Sequence, residues 1–440
     1  MDFQVIVGGI PVTRKAGDRL QCAMTSTPQR YWTRNKKKET WEPLTEPQLI
    51  RILKECSLSG QRAKGEDISE LEEALIYIGD ENRIDYAISL AGYQEGRMER
   101  DGKILLITQS CQPQEAKEGD WSVLKTFMEG LMGEQVMDRH LAWWKWARMS
   151  LAGEQIMPGQ VMIYVGISGA GKSFLQKMTT ALLGGHASNP YLYMSGQSSF
   201  NADLFKSEHL VIEDQAADTG GKGRRAFGSK LKELVVNQVI SCHGKGADAT
   251  TLRPKWRVSM SMNPGRENMM ILPPLDASIL DKIMLIQCTK TEWFEAEIDK
   301  GWQAWGDLVA SQLPALAHAI DTFEIPASLK HERYGVKPWH DKLLVAFESE
   351  TSIEQQFLEC VLNDLPSVLE GDAHWEGKSS DLTRIMLGTG MPSCHQVRGL
   401  LKWHGAAGSY LGSLSASNPE TVTSRKVNGA NLWRVQMPTT

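Results

Sequence analysis

Val161-Met162-Ile163-Tyr164-Val165-Gly166-Ile167-Ser168-Gly169-Ala170-Gly171-Lys172-Ser173 is the stretch whose reading decides the fold. Its first five residues form an apolar, partly β-branched run of the length of a buried strand. Gly166 to Ser173 then fits G-x-x-x-x-G-K-[ST], and Phe174 to Leu183 places apolar residues at helical spacing without Gly or Pro. Strand, glycine-rich loop and helix are the context that turns such a match into a phosphate site. Backbone N–H groups close around phosphates there, and the helix N-terminus adds partial positive charge. Gly166, Ile167, Ser168, Gly169, Ala170, Gly171, Lys172, Ser173 and Phe174 are thus the expected nucleotide contacts. Lys172 would reach the β- and γ-phosphates of ATP and Ser173 would hold Mg²⁺.

Working outward, His209-Leu210-Val211-Ile212-Glu213-Asp214 is an apolar strand ending in two acids, 40 residues beyond Ser173. One carboxylate of Glu213 and Asp214 would orient Mg²⁺ or its waters, the other polarise an attacking water. Trp256 to Met262 alternates, with Arg257, Ser259 and Ser261 on one side, and ends at Asn263, an amide placed to sense a γ-phosphate. Between these pieces, Val239 to His243, the turn Gly244 to Ala247 and the return through Leu252 read as a hairpin with His243 and Lys245 near its tip. Tyr191 to Met194 reads as a further strand and Ser229 to Val236 as a short helix.

A length of 440 residues suggests two to four domains at about 100–200 residues each. A net charge of −5 excludes a globally basic nucleic-acid binder, so DNA contact would be local. The seven cysteines are scattered without C-x-x-C spacing, which argues against a zinc site and a disulfide framework and fits a reducing cytoplasm. Neither a signal peptide nor an apolar stretch of membrane-spanning length is evident.

Residues 1–115 read as a mixed α/β accessory domain. Tyr31 to Trp41 forms a hairpin whose Lys36-Lys37-Lys38 tip is read as a solvated turn, and Glu46 to Cys56 and Ile68 to Ile78 are amphipathic helices. No histidine precedes His140, which excludes the paired-histidine metal site of a nicking enzyme. Residues 116–155 are a helical collar whose Trp143, Trp144 and Trp146 are read as packing rather than base-stacking residues. Residues 156–322 are the nucleotide-binding domain and 323–350 a linker. In 351–440, helices at Ser352 to Leu369, Ser380 to Leu387 and Ser393 to His404 precede strands at Thr421 to Val427 and Asn431 to Val435, with Arg425 and Lys426 on the first strand.

With these pieces placed, the chain resembles the superfamily 3 helicases, in the phage and plasmid primase-helicase branch of that AAA+ group. Gly166 to Ser173 resembles Walker A, Ile212-Glu213-Asp214 Walker B, and Met262-Asn263 the sensor motif, all within 98 residues. The resemblance implies an α/β P-loop AAA+ core and a C-terminal winged-helix-like domain. It also implies a homo-oligomeric ring, a hexamer, using ATP and Mg²⁺ on single-stranded or forked DNA alongside host or phage replication proteins. His243, Lys245 and Lys255 would then face DNA in the channel, and Arg425 and Lys426 would contact phosphates from a wing. Two departures stand out: the acidic pair is Glu-Asp, and Lys282 occupies the place where relatives often carry an arginine for the neighbour's phosphates, with Arg266 as the other candidate. An ATP-switched AAA+ assembly protein and a small-molecule kinase are the rival readings.

Overall fold

The computed structural model describes residues 5–6, 21–26, 29–35, 40–153, 156–213, 221–244, 249–269, 271–273, 275, 277–345, 352–369, 373–427 and 429–437. Asp214, Lys245 and the Lys36-Lys37-Lys38 tip lie outside these residues. Two compact units are present: Met1–Gln215, Lys230–Met262 and Asp281–Trp339 form the first, and Ala216–Ser229, Asn263–Leu280 and His340–Thr440 the second. The architecture is mixed α/β, as expected.

At the N-terminal end of the first unit are two four-stranded sheets. One carries the expected hairpin, Gln29–Asn35 against Thr40–Leu44, with Arg34 opposite Trp41. Helices Glu46–Glu55 and Glu70–Asp80 close over it through Leu49, Leu53, Leu71, Ala74 and Ile78. The other contains the hairpin Gly96–Arg100 and Lys103–Ile107. Next come α1 (Ser122–Met132) and α2 (Glu134–Ala152). Trp143 and Trp144 on α2 are buried, their indole N–H groups donating to the Gln160 carbonyl at 2.9 Å and to Thr179 Oγ1 at 3.2 Å. They are core residues, as the sequence suggested.

The central sheet consists of β1 (Val161–Val165), β2 (Ala187–Ser188), β3 (His209–Glu213), β4 (Arg257–Met262) and β5 (Ile283–Gln287). All neighbours pair in parallel, in the order β2-β3-β4-β1-β5. Parallel sheets are covered on both faces, and every residue of β1 is buried. The same cover buries both sides of the alternating β4, Arg257, Ser259 and Ser261 included. Arg257 donates to the Met157 carbonyl at 3.1 Å, and burial brings its guanidinium down to about 10.

Helix α3 (Lys172–Leu183) follows β1 and is keyed to the sheet by polar bonds. Gln176 Nε2 donates to Ser259 Oγ at 2.8 Å, and His209 joins Thr180 Oγ1 and Ser259 Oγ, each at 2.8 Å. Tyr191–Met194 is a single helical turn rather than the expected strand. Pro190 precedes it and the Asn189 side chain accepts the Tyr191 N–H at 2.9 Å, so the local signals start a helix despite the β-forming tyrosines. The helix expected at Ser229 begins earlier, at Gly221.

The stretch expected as a linker is also built differently. Lys330–His331 pairs with Gly335–Val336, Tyr334 and Val336 are buried, and the Leu285 N–H donates to the Trp339 carbonyl at 2.8 Å. Its apolar side chains cover the sheet, so residues through Trp339 belong to the first unit.

In the second unit, Ile353–Asp364, Ser379–Met386, Cys394–Leu400 and Ala406–Ser417 surround a core of Phe357, Val361, Leu382, Tyr410 and Trp433. A three-stranded antiparallel sheet accompanies them in the order His374–Gly377, Ala430–Gln436, Val422–Val427. The sequence reading lacked the Ala406–Ser417 helix, whose many Gly and Ser residues disfavour helix; burial of Ala406, Tyr410, Leu411 and Leu414 overrides that.

His140 is fully buried on α2, 2.6 Å from the Tyr164 hydroxyl. Burial, aided by nearby His209, brings its imidazole down to about 3. Between about pH 6.5 and 3 the unfolded chain therefore binds a proton there that the folded chain does not. The corresponding stability is fully present above pH 6.5 and lost as pH falls, by up to roughly 1.4 kcal/mol per unit. Denaturant midpoints of wild type should fall more steeply than those of His140→Gln over this window; parallel acid limbs would contradict the assignment.

Candidate nucleotide-binding site

Gly166 to Gly171 leaves the carboxyl end of β1, whose neighbours are β4 and β5. In open parallel sheets this edge is where ligands bind, at positions where the strand order reverses. The loop is anchored on both sides: the Gly166 N–H donates to the Met262 carbonyl at 3.2 Å, and the Cys288 N–H to the Val165 carbonyl at 2.7 Å. Only glycine fits at Gly166, since a Cβ would collide with the Cys288 carbonyl and come within 2.9 Å of Cys288 Cβ. Gly171 has φ +105°, and a Cβ there would lie 2.7 Å from the Phe127 ring.

No side chain caps the first turn of α3. Lys172 is buried and folds back over the loop, its Nζ donating to the carbonyls of Gly166 at 2.6 Å and Ile167 at 2.9 Å. The Phe174 side chain instead packs into an aromatic cluster, 5.0 Å from Phe127 and 5.2 Å from Trp305 between ring centroids. Of the expected ligand-contacting side chains, this one is committed to the core, leaving its backbone for a nucleotide.

Register places the acid relative to the loop. Thr180 bonds His209, and Gln176, one turn earlier, bonds Ser259, which pairs with Val211. A further turn back, about 6 Å along the helix, reaches Lys172; two residues along the strands, about 6.6 Å, reach Ser261 and its partner Glu213. Lys172 and Glu213 therefore stand at the same level of the sheet. By alternation Glu213 shares the α3-covered face of β3 with His209 and Val211, and it is exposed. It lines a cleft of about 400 Å³ with Gln176, Lys177 and Thr180.

Asn263 is the half-buried residue directly after β4 and is counted with the second unit. Arg266 begins a short helix there. Lys282 precedes β5, at the sheet edge opposite Gly166 to Gly171, and its carbonyl accepts the Val161 N–H at 2.9 Å. Its side chain is 12% exposed and its ammonium is bound to Asp281 at 2.5 Å, so it is a paired lysine rather than a loose surface one. The sequence reading missed Lys290. Because β5 pairs with β1, its exit brings the Lys290 Nζ to 3.7 Å from where a Cβ on Gly169 would stand. Lys290 is ion-paired with Glu295. A lysine just past the end of the apolar run at 283–286 was the available signal.

The expected hairpin exists as Ile240–Cys242 against Thr250–Leu252. His243 is fixed through its backbone: its N–H donates to Asn201 Oδ1 at 2.7 Å and its carbonyl accepts the Asn201 N–H at 3.1 Å. Lys255, expected to face DNA, is engaged within the chain. Its Nζ donates to the Gly92 carbonyl at 2.5 Å over the Tyr93 ring, and burial, then Arg253, hold its pKa below the usual lysine value. Tyr93 accepts from the Arg253 N–H and donates to the Arg253 carbonyl, both at 2.9 Å. Arg100 Nε and Lys103 Nζ donate to the carbonyls of Thr251 and Ala249. The return strand is thus braced by the N-terminal region. Arg425 and Lys426 are exposed on Val422–Val427, with Arg425 bound to Glu376 at 2.5 Å.

A family model described as "Family of unknown function (DUF5906)" matches residues 164–270, the stretch from β1 past β4. No curated protein matches the chain. Among solved structures, the apo structure of the NrS-1 C terminal region (305-718) is similar at a TM-score of 0.52 and 12% identity, over 95% of this chain and 96% of that one. The fold is shared across nearly the whole of both chains. The structure of the SCCmec type IV Cch active helicase has a TM-score of 0.42 at 10% identity, over 94% and 92% of the two chains. No helix among the described residues is long and apolar enough to cross a membrane.

Gly166→Ala should cost about 1–3 kcal/mol in denaturant unfolding. Gly306→Ala, on an exposed helical position with nothing within 4 Å, should gain about 0.5–1 kcal/mol. Equal effects at both glycines would refute the close-approach argument. Lys255→Ala should destabilise by about 1–3 kcal/mol through the abandoned Gly92 carbonyl, while the salt dependence of DNA binding stays as in wild type. A shallower slope would restore Lys255 as a phosphate contact.

Proposed function

We propose that this chain is a ring-forming, ATP-dependent DNA helicase of the superfamily 3 AAA+ type, serving replication of a phage or other mobile element. The observation that carries this reading is a loop where Gly166 leaves room for no Cβ, at the same edge of the sheet as Glu213, the last residue of β3. An uncapped helix start and a buried ammonium at the loop fit a nucleotide triphosphate. Bound ATP would supply the phosphoanhydride to be cleaved, and Mg²⁺ the countercharge on its phosphates. Gly166 to Gly171 hold the phosphates with backbone N–H groups, Lys172 exchanges its carbonyl partners for phosphate oxygens, and the Ser173 hydroxyl ligates the ion. Glu213 and Asp214 divide metal holding and water polarisation between them, and Asn263 reads the terminal phosphate.

In the hexameric ring a cation from the neighbour completes the site. Lys282 would have to leave Asp281 to serve, so Arg266 gains ground as that cation. His243 and Lys245 grip the DNA backbone at the hairpin tip. The order of helices and strands in the second unit supports a winged-helix-like domain, with Arg425 and Lys426 on its hairpin. The brace on the return strand favours one rival, an ATP-switched assembly protein whose hairpin relays to the N-terminal region without unwinding.

Lys172→Ala should lower ATP turnover by at least about 100-fold, the scale of losing one positioned electrostatic group; turnover near wild type would remove the phosphate assignment. Strand displacement on forked DNA separates the two readings. ATP-dependent unwinding, lost in Lys245→Ala with nucleotide binding intact, is the expected result. Hydrolysis stimulated by single-stranded DNA without unwinding would select the assembly protein.

A further inference from the structure

Cys111, His186 and Glu208 come from three separate stretches, yet a ligand atom of each lies within 4.8 Å of the others. Glu208 is 0% exposed. Its Oε2 accepts the His186 backbone N–H at 3.0 Å, while Oε1 accepts no hydrogen bond from the described residues and faces His186 Nδ1 at 3.5 Å. A carboxylate oxygen withdrawn from water without a donor is costly unless a cation or a proton compensates it, and burial raises this carboxyl to about 7. Gly184 makes the convergence possible: a Cβ there would lie 2.9 Å from both Cys111 Cβ and Glu208 Cδ.

We propose that Cys111, His186 and Glu208 form a binding site for a divalent transition metal, of the class that takes zinc. Thiolate sulfur, imidazole nitrogen and carboxylate oxygen together form a borderline-soft donor set suited to that ion. Nitrogen and oxygen ligands about 2.0–2.1 Å from a tetrahedral ion stand about 3.4 Å apart, close to the 3.5 Å between His186 and Glu208. His186 is 48% exposed, so water has access to a fourth position. Local cysteine spacing gave no warning, because the ligands are brought together only by the sheet and the turn at Gly184.

The site's role is structural. His186 and Glu208 immediately precede β2 and β3, at the edge of the sheet opposite Lys172. Cys111 belongs to the segment between Lys103–Ile107 and α1, which is already tied to α3 by the Gln114 N–H donating to the Leu182 carbonyl at 3.1 Å. A bound ion would fasten this segment to the end of α3 and the start of β3.

The test uses the full chain purified free of metal and titrated with Zn²⁺ or Co²⁺. One ion per chain should bind, with thiolate-to-cobalt charge-transfer absorption, and zinc should raise the melting temperature. Cys111→Ser should abolish that absorption, and both it and His186→Ala should weaken zinc binding by more than about 100-fold, beyond the usual cost of losing a supporting partner. His186→Ala alters a half-exposed side chain and should unfold like metal-free wild type in chelator, so it decides the matter if Cys111→Ser folds poorly. Cys394→Ser should behave as wild type. Absence of stoichiometric binding, a cobalt complex without thiolate absorption, or wild-type affinity in His186→Ala would overturn the site.

Discussion

Burial of β1 on both faces and both edges is the constraint from which the rest of the first unit follows. With no water to reach them, its backbone groups must pair with β4 and β5, and pairing in parallel brings the exits of all three strands to one edge. Gly166, Asn263 and Cys288 are the residues that leave that edge next. The loop therefore inherits its position from the sheet, and its glycines only make the position habitable. Lys290 arrives beside it for the same reason, carried there by the register of β5.

The N-terminal region is built into the same arrangement. Tyr93, Arg100 and Lys103 contact the backbone on and around Thr250–Leu252, and Lys255 reaches back to the Gly92 carbonyl. Their donors are spent on carbonyls, which makes this surface a buttress for the hairpin. A cation so committed has little left to offer a phosphate. The exposed Arg425 and Lys426 differ in this respect, since Arg425 meets its carboxylate in solvent, where such pairs contribute little.

Strands β1, β3 and β5 were legible because continuous apolar runs have few other solutions, and β4 because it alternates; the two-residue β2 left no such signal. The loop, the acidic strand end and the hairpin were likewise found from local patterns. Where reading failed, a competing local or long-range effect had taken over. Pro190 and Asn189 turned Tyr191–Met194 into a helix, and burial made a helix of the glycine- and serine-rich Ala406–Ser417. Alternation in β4 sorted its residues into two sides, but sequence cannot show that α3 covers the polar one. Lys255 looked like any lysine near a hairpin, and only tertiary structure reveals Gly92 and Tyr93 beneath it. Tyr334 and Val336 were hidden in a polar segment read as a tether.

The bonds joining Thr180 and Gln176 to His209 and Ser259 have a mechanical meaning. A helix held only by apolar contacts can creep along a sheet in small steps, since each methyl group exchanges one neighbour for another. A helix keyed by directional polar bonds in a dry interface cannot, because any partial slip strands several buried groups at once. Helix α3 is therefore a ratchet pin rather than a slider. A push at Lys172 would be carried along α3 to β3 and β4 through these bonds, toward Gly184 at the other end of the helix.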